Sequence, residues 1–155
     1  MTTFEDLITA HPFFQNIDQR YLPDIVAHAQ PCSFESERLI FHQGERARHF
    51  YILQTGHVAL EVFAPDRGPI RLMTLNAGEV LGWSWLFAPY IWHFDARAIE
   101  PTHAIMFDGA ALRAECDTNH ELGYHLMRHS VHIIEQRLQA CMLQMIDIYG
   151  YTRTG

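Results

Sequence analysis

A chain of 155 residues, 48% hydrophobic and 19% charged, is long enough to bury one core and too apolar to be disordered. Its net charge of −7, carried with 11 arginines, no lysine and no basic run, argues against DNA or RNA as a direct partner. Three widely spaced cysteines, Cys32, Cys116 and Cys141, form no CxxC and point to a reduced, cytoplasmic setting and not to a disulfide scaffold. No apolar run approaches the ~18 residues of a membrane span, and the first ten residues carry Glu5 and Asp6, unlike a signal peptide.

Residues 1–30 read as a helical flank. Thr3 followed by Asp6 marks a helix start, with Phe4, Leu7 and Ile8 as its apolar stripe. Pro12 interrupts, and Asp18 is placed to cap a second helix bearing Leu22, Ile25, Val26 and Ala29 on one face. Residues 31–108 change to short strands. Leu39–His42, His49–Gln54, His57–Phe63, Ile70–Leu75 and Thr102–Phe107 are separated by glycine- and proline-rich turns. Strands at this rate, with no alternating long helix, indicate a sandwich or barrel.

The stretch Gly78–Ala98 stands apart because it holds all three tryptophans, Trp83, Trp85 and Trp92. Its composition predicts a strand end, a glycine turn, one helical turn, a break at Pro89, and a strand over His93–Ile99. Asp95 and Arg97 share a strand face and are expected to pair. Two readings are open, a hydrophobic plug sealing a barrel or a loop that holds a ligand.

Residues 109–149 read as helices. Asp108 caps a short one, and Thr118 with Glu121 forms a T-x-x-E capping box for a long one. Met127, Val131, Ile134, Leu138, Cys141, Met145 and Ile148 recur at alternating spacings of four and three, a coiled-coil seam. A helix over 119–149 spans roughly 45 Å, more than a small barrel needs for cover, so the seam predicts a homodimer.

In order and spacing, these parts resemble the cyclic-nucleotide-binding domain of catabolite-activator-type bacterial regulators. The carriers are the Gly44, Gly56 and Gly78 turns, Phe50-Tyr51-Ile52-Leu53, Gly78-Glu79-x-x-Gly82, Ala96-x-Ala98 and Arg137-Leu138-Gln139. The resemblance implies a mainly β fold: an antiparallel β-roll or jelly-roll barrel with N-terminal helices and a long C-terminal dimerisation helix. It places Gly82 at the pocket glycine. The glutamate that holds ribose is replaced by Trp83, and the arginine that holds the cyclic phosphate by Trp92, with His93 next to it. Cys141 and Met142 fall at the base-contacting positions of the helix. The seven residues after Ile148 are too few for a DNA-reading helix-turn-helix unit.

The expected function is therefore a non-catalytic sensor or interaction domain. Gly82, Trp83, Ser84, Trp92 and His93 would face an unidentified small-molecule effector, Cys141 and Met142 would act as a lid, and a protein partner would receive the signal. A genuine cyclic-nucleotide binder, with Arg97 or Arg71 replacing the missing arginine, is the first alternative. A haem or metal carrier using the stripe His125, His129 and His132 is the second. No H-x-H of a cupin oxygenase and no glycine-framed serine elbow is present, and no cofactor is expected.

Overall fold

The computed structural model describes residues 2–153, with side chains through residue 147. It contains two four-stranded antiparallel sheets, flanking helices and one long C-terminal helix. The strands are β1 (Ala29–Phe34), β2 (Leu39–Phe41), β3 (His49–Thr55), β4 (Val58–Ala64), β5 (Gly68–Leu75), β6 (Val80–Leu81), β7 (Asp95–Ala98) and β8 (Thr102–Asp108). One sheet runs β1-β8-β3-β6 and the other β2-β7-β4-β5. The helices are α1 (Phe4–Thr9), α2 (Leu22–Ala27), α3 (Gly109–Thr118) and α4 (His120–Arg153).

Local chemistry accounts for the boundaries. Thr3 and Asp6 form a reciprocal capping box on α1. Asp18 caps a 3₁₀ turn, Gln19–Tyr21, and α2 begins only at Leu22. Strand structure starts at Ala29, earlier than expected, with Pro31 inside β1. That strand lies at a sheet edge, where a missing N–H is tolerated. At Gly56 (φ 93°) a Cβ would stand 2.4 Å from Thr102 Oγ1 and 2.7 Å from the Pro101 carbonyl, so only glycine fits the turn into β4.

Three expectations are corrected. The T-x-x-E capping box does not form, because α3 runs through Thr118 and keeps it helical. Asn119 breaks the chain instead and accepts the Leu122 N–H at 3.2 Å, while Glu121 binds Arg20 and Tyr21. Asp95 and Arg97 do not pair. Asp95 is buried and accepts the Gln43 N–H at 2.7 Å, whereas Arg97 donates to Glu61 at 3.0 Å. Residues 82–94 contain no helical turn; two successive turns close through Leu86 N–H to Trp83 O and Tyr90 N–H to Phe87 O.

Two apolar cores result. One lies inside the barrel around Tyr51, Leu53, Val58, Leu60, Leu75 and Leu81. The other joins the barrel to every helix, through Ile8, Phe14, Ile25, Trp85, Leu112 and Leu126 among others. The long helix packs against α3 and the Pro12–Phe14 turn, burying Leu122, Leu126 and Ser130, and reaches the barrel at Arg137, which donates to the Val80 carbonyl. From Leu138 to Asp147 every side chain is exposed. The seam does not pack on the barrel: Met127, Val131, Leu138, Cys141 and Met145 are exposed and Ile134 is half-buried. Ile148 lies outside the residues whose side chains are described.

Candidate functional site

The loop between β6 and β7 forms a pocket beneath α4, and its own side chains fill it. Trp92 is 6% exposed and stacks on Phe41, with ring centroids 3.8 Å apart and planes 9° apart. Its backbone is tied on both sides, by Trp92 N–H to Glu45 O at 3.0 Å and Gly44 N–H to Trp92 O at 2.9 Å. Gly82 (φ 99°) gives the indole its place: a Cβ there would stand 2.7 Å from Trp92 Cη2. Trp85 is core. It is fully buried, stacks on Phe50 at 4.7 Å, and packs against Gly109. The tryptophan stretch thus seals the molecule at Trp85 and Trp92 and leaves Trp83 half-buried.

What remains of the pocket is a cavity of about 20 Å³, room for a single water. Five of the sequence-predicted residues line it, namely Gly82, Trp83, Ser84, Trp92 and His93. Cys141 and Met142 do not; within one chain they are exposed, a turn beyond the last contact of α4 with the barrel. Arg97 and Arg71 do not line it either. Arg97 is held by Glu61 and by the Glu37 carbonyl, and Arg71 is exposed on β5.

The residue that sequence reasoning passed over is Arg137. It lines the cavity and is 8% exposed. One of its nitrogens donates to the Val80 carbonyl, and its guanidinium lies 5.1 Å from the Trp83 ring. Its Nη1 is buried without a hydrogen-bond partner among the described residues. Burial pushes its pKa down to about 10, partly offset by the Glu79 carboxylate, so it stays cationic at neutral pH. The available signal was position: Arg137 continues the barrel-facing stripe Leu126, Ser130, Ile133, where a charge is out of place.

A larger groove of about 500 Å³ runs along the other side of Arg137, between α4 and the turn into β6. His11, His129 and His132 line it. His11 accepts the Phe13 N–H on Nδ1 and donates from Nε2 to the Gly78 carbonyl at 2.7 Å, and His129 Nε2 donates to the Gln15 carbonyl at 2.8 Å. These rings lock the N-terminal flank onto the barrel and the helix. Among the described residues, no three His, Cys, Asp or Glu side chains stand close enough to hold a metal ion together.

Residues 31–119 match the family described as cyclic nucleotide-binding domain. The chain belongs to the cyclic nucleotide-binding domain family. Among solved structures, this domain is similar to a putative cyclic nucleotide-binding protein from Geobacter metallireducens (TM-score 0.80, 26% identity, covering 88% of this chain and 98% of that one). It shares its fold with the sensor domain of the transcriptional regulator DNR from Pseudomonas aeruginosa (TM-score 0.70, 20% identity, 87% and 91% covered). A CRP-like cAMP-activated global transcriptional regulator of Mycobacterium tuberculosis is 22% identical over 144 residues, which are 93% of this chain and 62% of that protein. No described helix of this cyclic nucleotide-binding domain is long and apolar enough to cross a membrane.

Proposed function

We propose that this is a regulatory, non-catalytic domain of the cyclic nucleotide-binding family whose nucleotide pocket is occupied by its own tryptophans. It acts as a homodimer through α4 and signals to a protein partner, without reporting cyclic AMP. The observation that carries this reading is the Trp92–Phe41 stack over Gly82, which leaves about 20 Å³ where a nucleotide would need to lie. An effector entering here displaces Trp92, and Cys141 and Met142 cover it only from a second copy. A buried phosphate whose arginine position holds Trp92 costs up to about 3–5 kcal/mol, less what the neighbouring Arg137 guanidinium returns, and a lost ribose acceptor costs about 1–3 kcal/mol. Stacking of the base returns about 1–3 kcal/mol, so the middle of these ranges is a deficit of about 4 kcal/mol, roughly 10³ in affinity.

The free Nη1 of Arg137 favours one further reading, a small anionic, partly planar effector that moves Trp83 aside. Calorimetric titration with cyclic AMP and cyclic GMP tests the main reading. No saturable heat is expected, and a dissociation constant below about 10 μM overturns it.

A further inference from the structure

Arg46 and Arg48, two positions apart, meet the distant Arg113 at a second cavity, on the opposite side of the tryptophan loop's tip. Arg46, Arg48 and Arg113 line about 270 Å³ together with Ala47, Pro89, Tyr90 and Ala110. None of the three forms an ion pair among the described residues, although the chain carries 18 Asp and Glu. No carboxylate lines the cavity. Asp108, two residues before Ala110, uses its side chain on the Ala111 N–H at 3.0 Å, and Glu45, next to Arg46, is not among the lining residues.

The walls are held by backbone. Arg46 bridges Ile91, Ala47 donates its N–H to Tyr90 O at 2.8 Å, and Arg48 O accepts from Ala110 N–H at 3.0 Å. Arg46 and Ala47 are thus fastened to the Tyr90–Ile91 segment and Arg48 to Ala110, and buried Ala47 separates two exposed arginines. Arg113 is fixed as well. Its guanidinium lies 3.8 Å over the Tyr90 ring, and Nη1 donates to Trp85 O at 2.6 Å. Tyr90 takes φ 59°, a conformation uncommon for a bulky residue, and so presents its ring to Arg113.

We propose that Arg46, Arg48 and Arg113 form a binding site for a small dianion of the phosphate class. Guanidinium forks match phosphate oxygens bidentately, and three uncompensated charges in one concavity favour a doubly charged ligand over a monocarboxylate. The site is independent of the filled nucleotide pocket, so its failure leaves the proposed function untouched.

The test is a titration of the full chain with inorganic phosphate, and separately acetate, at constant ionic strength set with sodium chloride. Saturable binding of phosphate is expected, about tenfold or more tighter than acetate. Arg113→Lys keeps the charge but loses the fork and should weaken phosphate severalfold. Because Arg113 also holds the Trp85 carbonyl, the decisive variant is the double replacement Arg46→Gln and Arg48→Gln. Both side chains are exposed, so its unliganded melting temperature should match the parent while phosphate binding falls about tenfold. Equal phosphate binding by parent and double variant, equal binding of acetate, or no saturable response overturns the site.

Discussion

Gly82 and Trp92 are one unit at the level of single residues. The positive φ of Gly82 lets the indole lie against bare backbone, and a methyl group there would stand 2.7 and 2.9 Å from two Trp92 ring atoms. Gly82→Ala combines backbone strain with overpacking and should destabilise by about 1–3 kcal/mol in urea unfolding. An unchanged midpoint would show that Trp92 moves freely, which contradicts a fixed plug. A second residue-scale expectation concerns alkaline pH. Burial pushes the thiols of Cys32 and Cys116 up to about 11, with Asp117 and Glu115 adding to the effect at Cys116. Burial, with Cys32 nearby, pushes the Tyr51 hydroxyl up to about 12. These groups keep their protons in the folded chain while the unfolded chain loses them, so stability falls as pH rises above about 9. Arg137, shifted downward, acts in the opposite direction from about pH 10. Unfolding midpoints measured from pH 8 to 11 should therefore decline, and less so in Cys32→Ala; a flat profile contradicts the burial of these groups.

Among the elements, the α3–α4 junction shows what sequence could and could not tell. T-x-x-E at Thr118 and Glu121 satisfies the pattern of a capping box, but a pattern does not say where the preceding helix stops. The chain leaves helical geometry only at Asn119 (φ −112°, ψ 91°), whose side chain caps α4. Asn119→Ala should cost about 1 kcal/mol, as cap removal does, and Thr118→Ala clearly less; the reverse order in chemical denaturation would restore the box. The β-roll strands, the capping box at Thr3 and the long helix were legible because each rests on local periodicity or turn chemistry. The tryptophan loop was legible as residues, and its plug-like packing was one of two open readings. That Trp92 lies on Phe41, 51 positions earlier, is a tertiary fact with no local signal. Arg113 meets Arg46 and Arg48, 67 and 65 positions earlier, only in the fold, and so does Arg137 meet Val80, 57 positions earlier, although the place of Arg137 on the barrel-facing stripe was itself visible.

For the molecule as a whole, the open question is what covers α4. Its barrel face ends at Arg137, yet Met127, Val131, Leu138, Met142 and Met145 lie exposed along its other side. Leu138 is 57% exposed, which is unusual for a leucine at the centre of a seven-position apolar repeat. Removing such a side chain from water stabilises by about 1.5–3 kcal/mol. Association costs about 4–15 kcal/mol, and five such half-exposed residues from each of two copies recover about half of the full burial value each, roughly 7–15 kcal/mol together, which is of the size required. A two-fold pairing of identical helices satisfies the seam on both copies at once and leaves no unmatched surface to propagate. Light scattering should therefore give a dimer at micromolar concentration. Leu138→Asp places two carboxylates opposite each other in the seam and should give monomer. Cys141 supplies an independent reading, because its thiol is exposed in a single chain and lies in the seam of a pair. Iodoacetamide should label Cys141 rapidly in Leu138→Asp and slowly in the parent, with Cys32 and Cys116 slow in both, since their raised pKa values keep them as thiols near neutral pH. A monomeric parent with rapidly labelled Cys141 would mean that the seam serves a different partner, and the homodimer would be wrong.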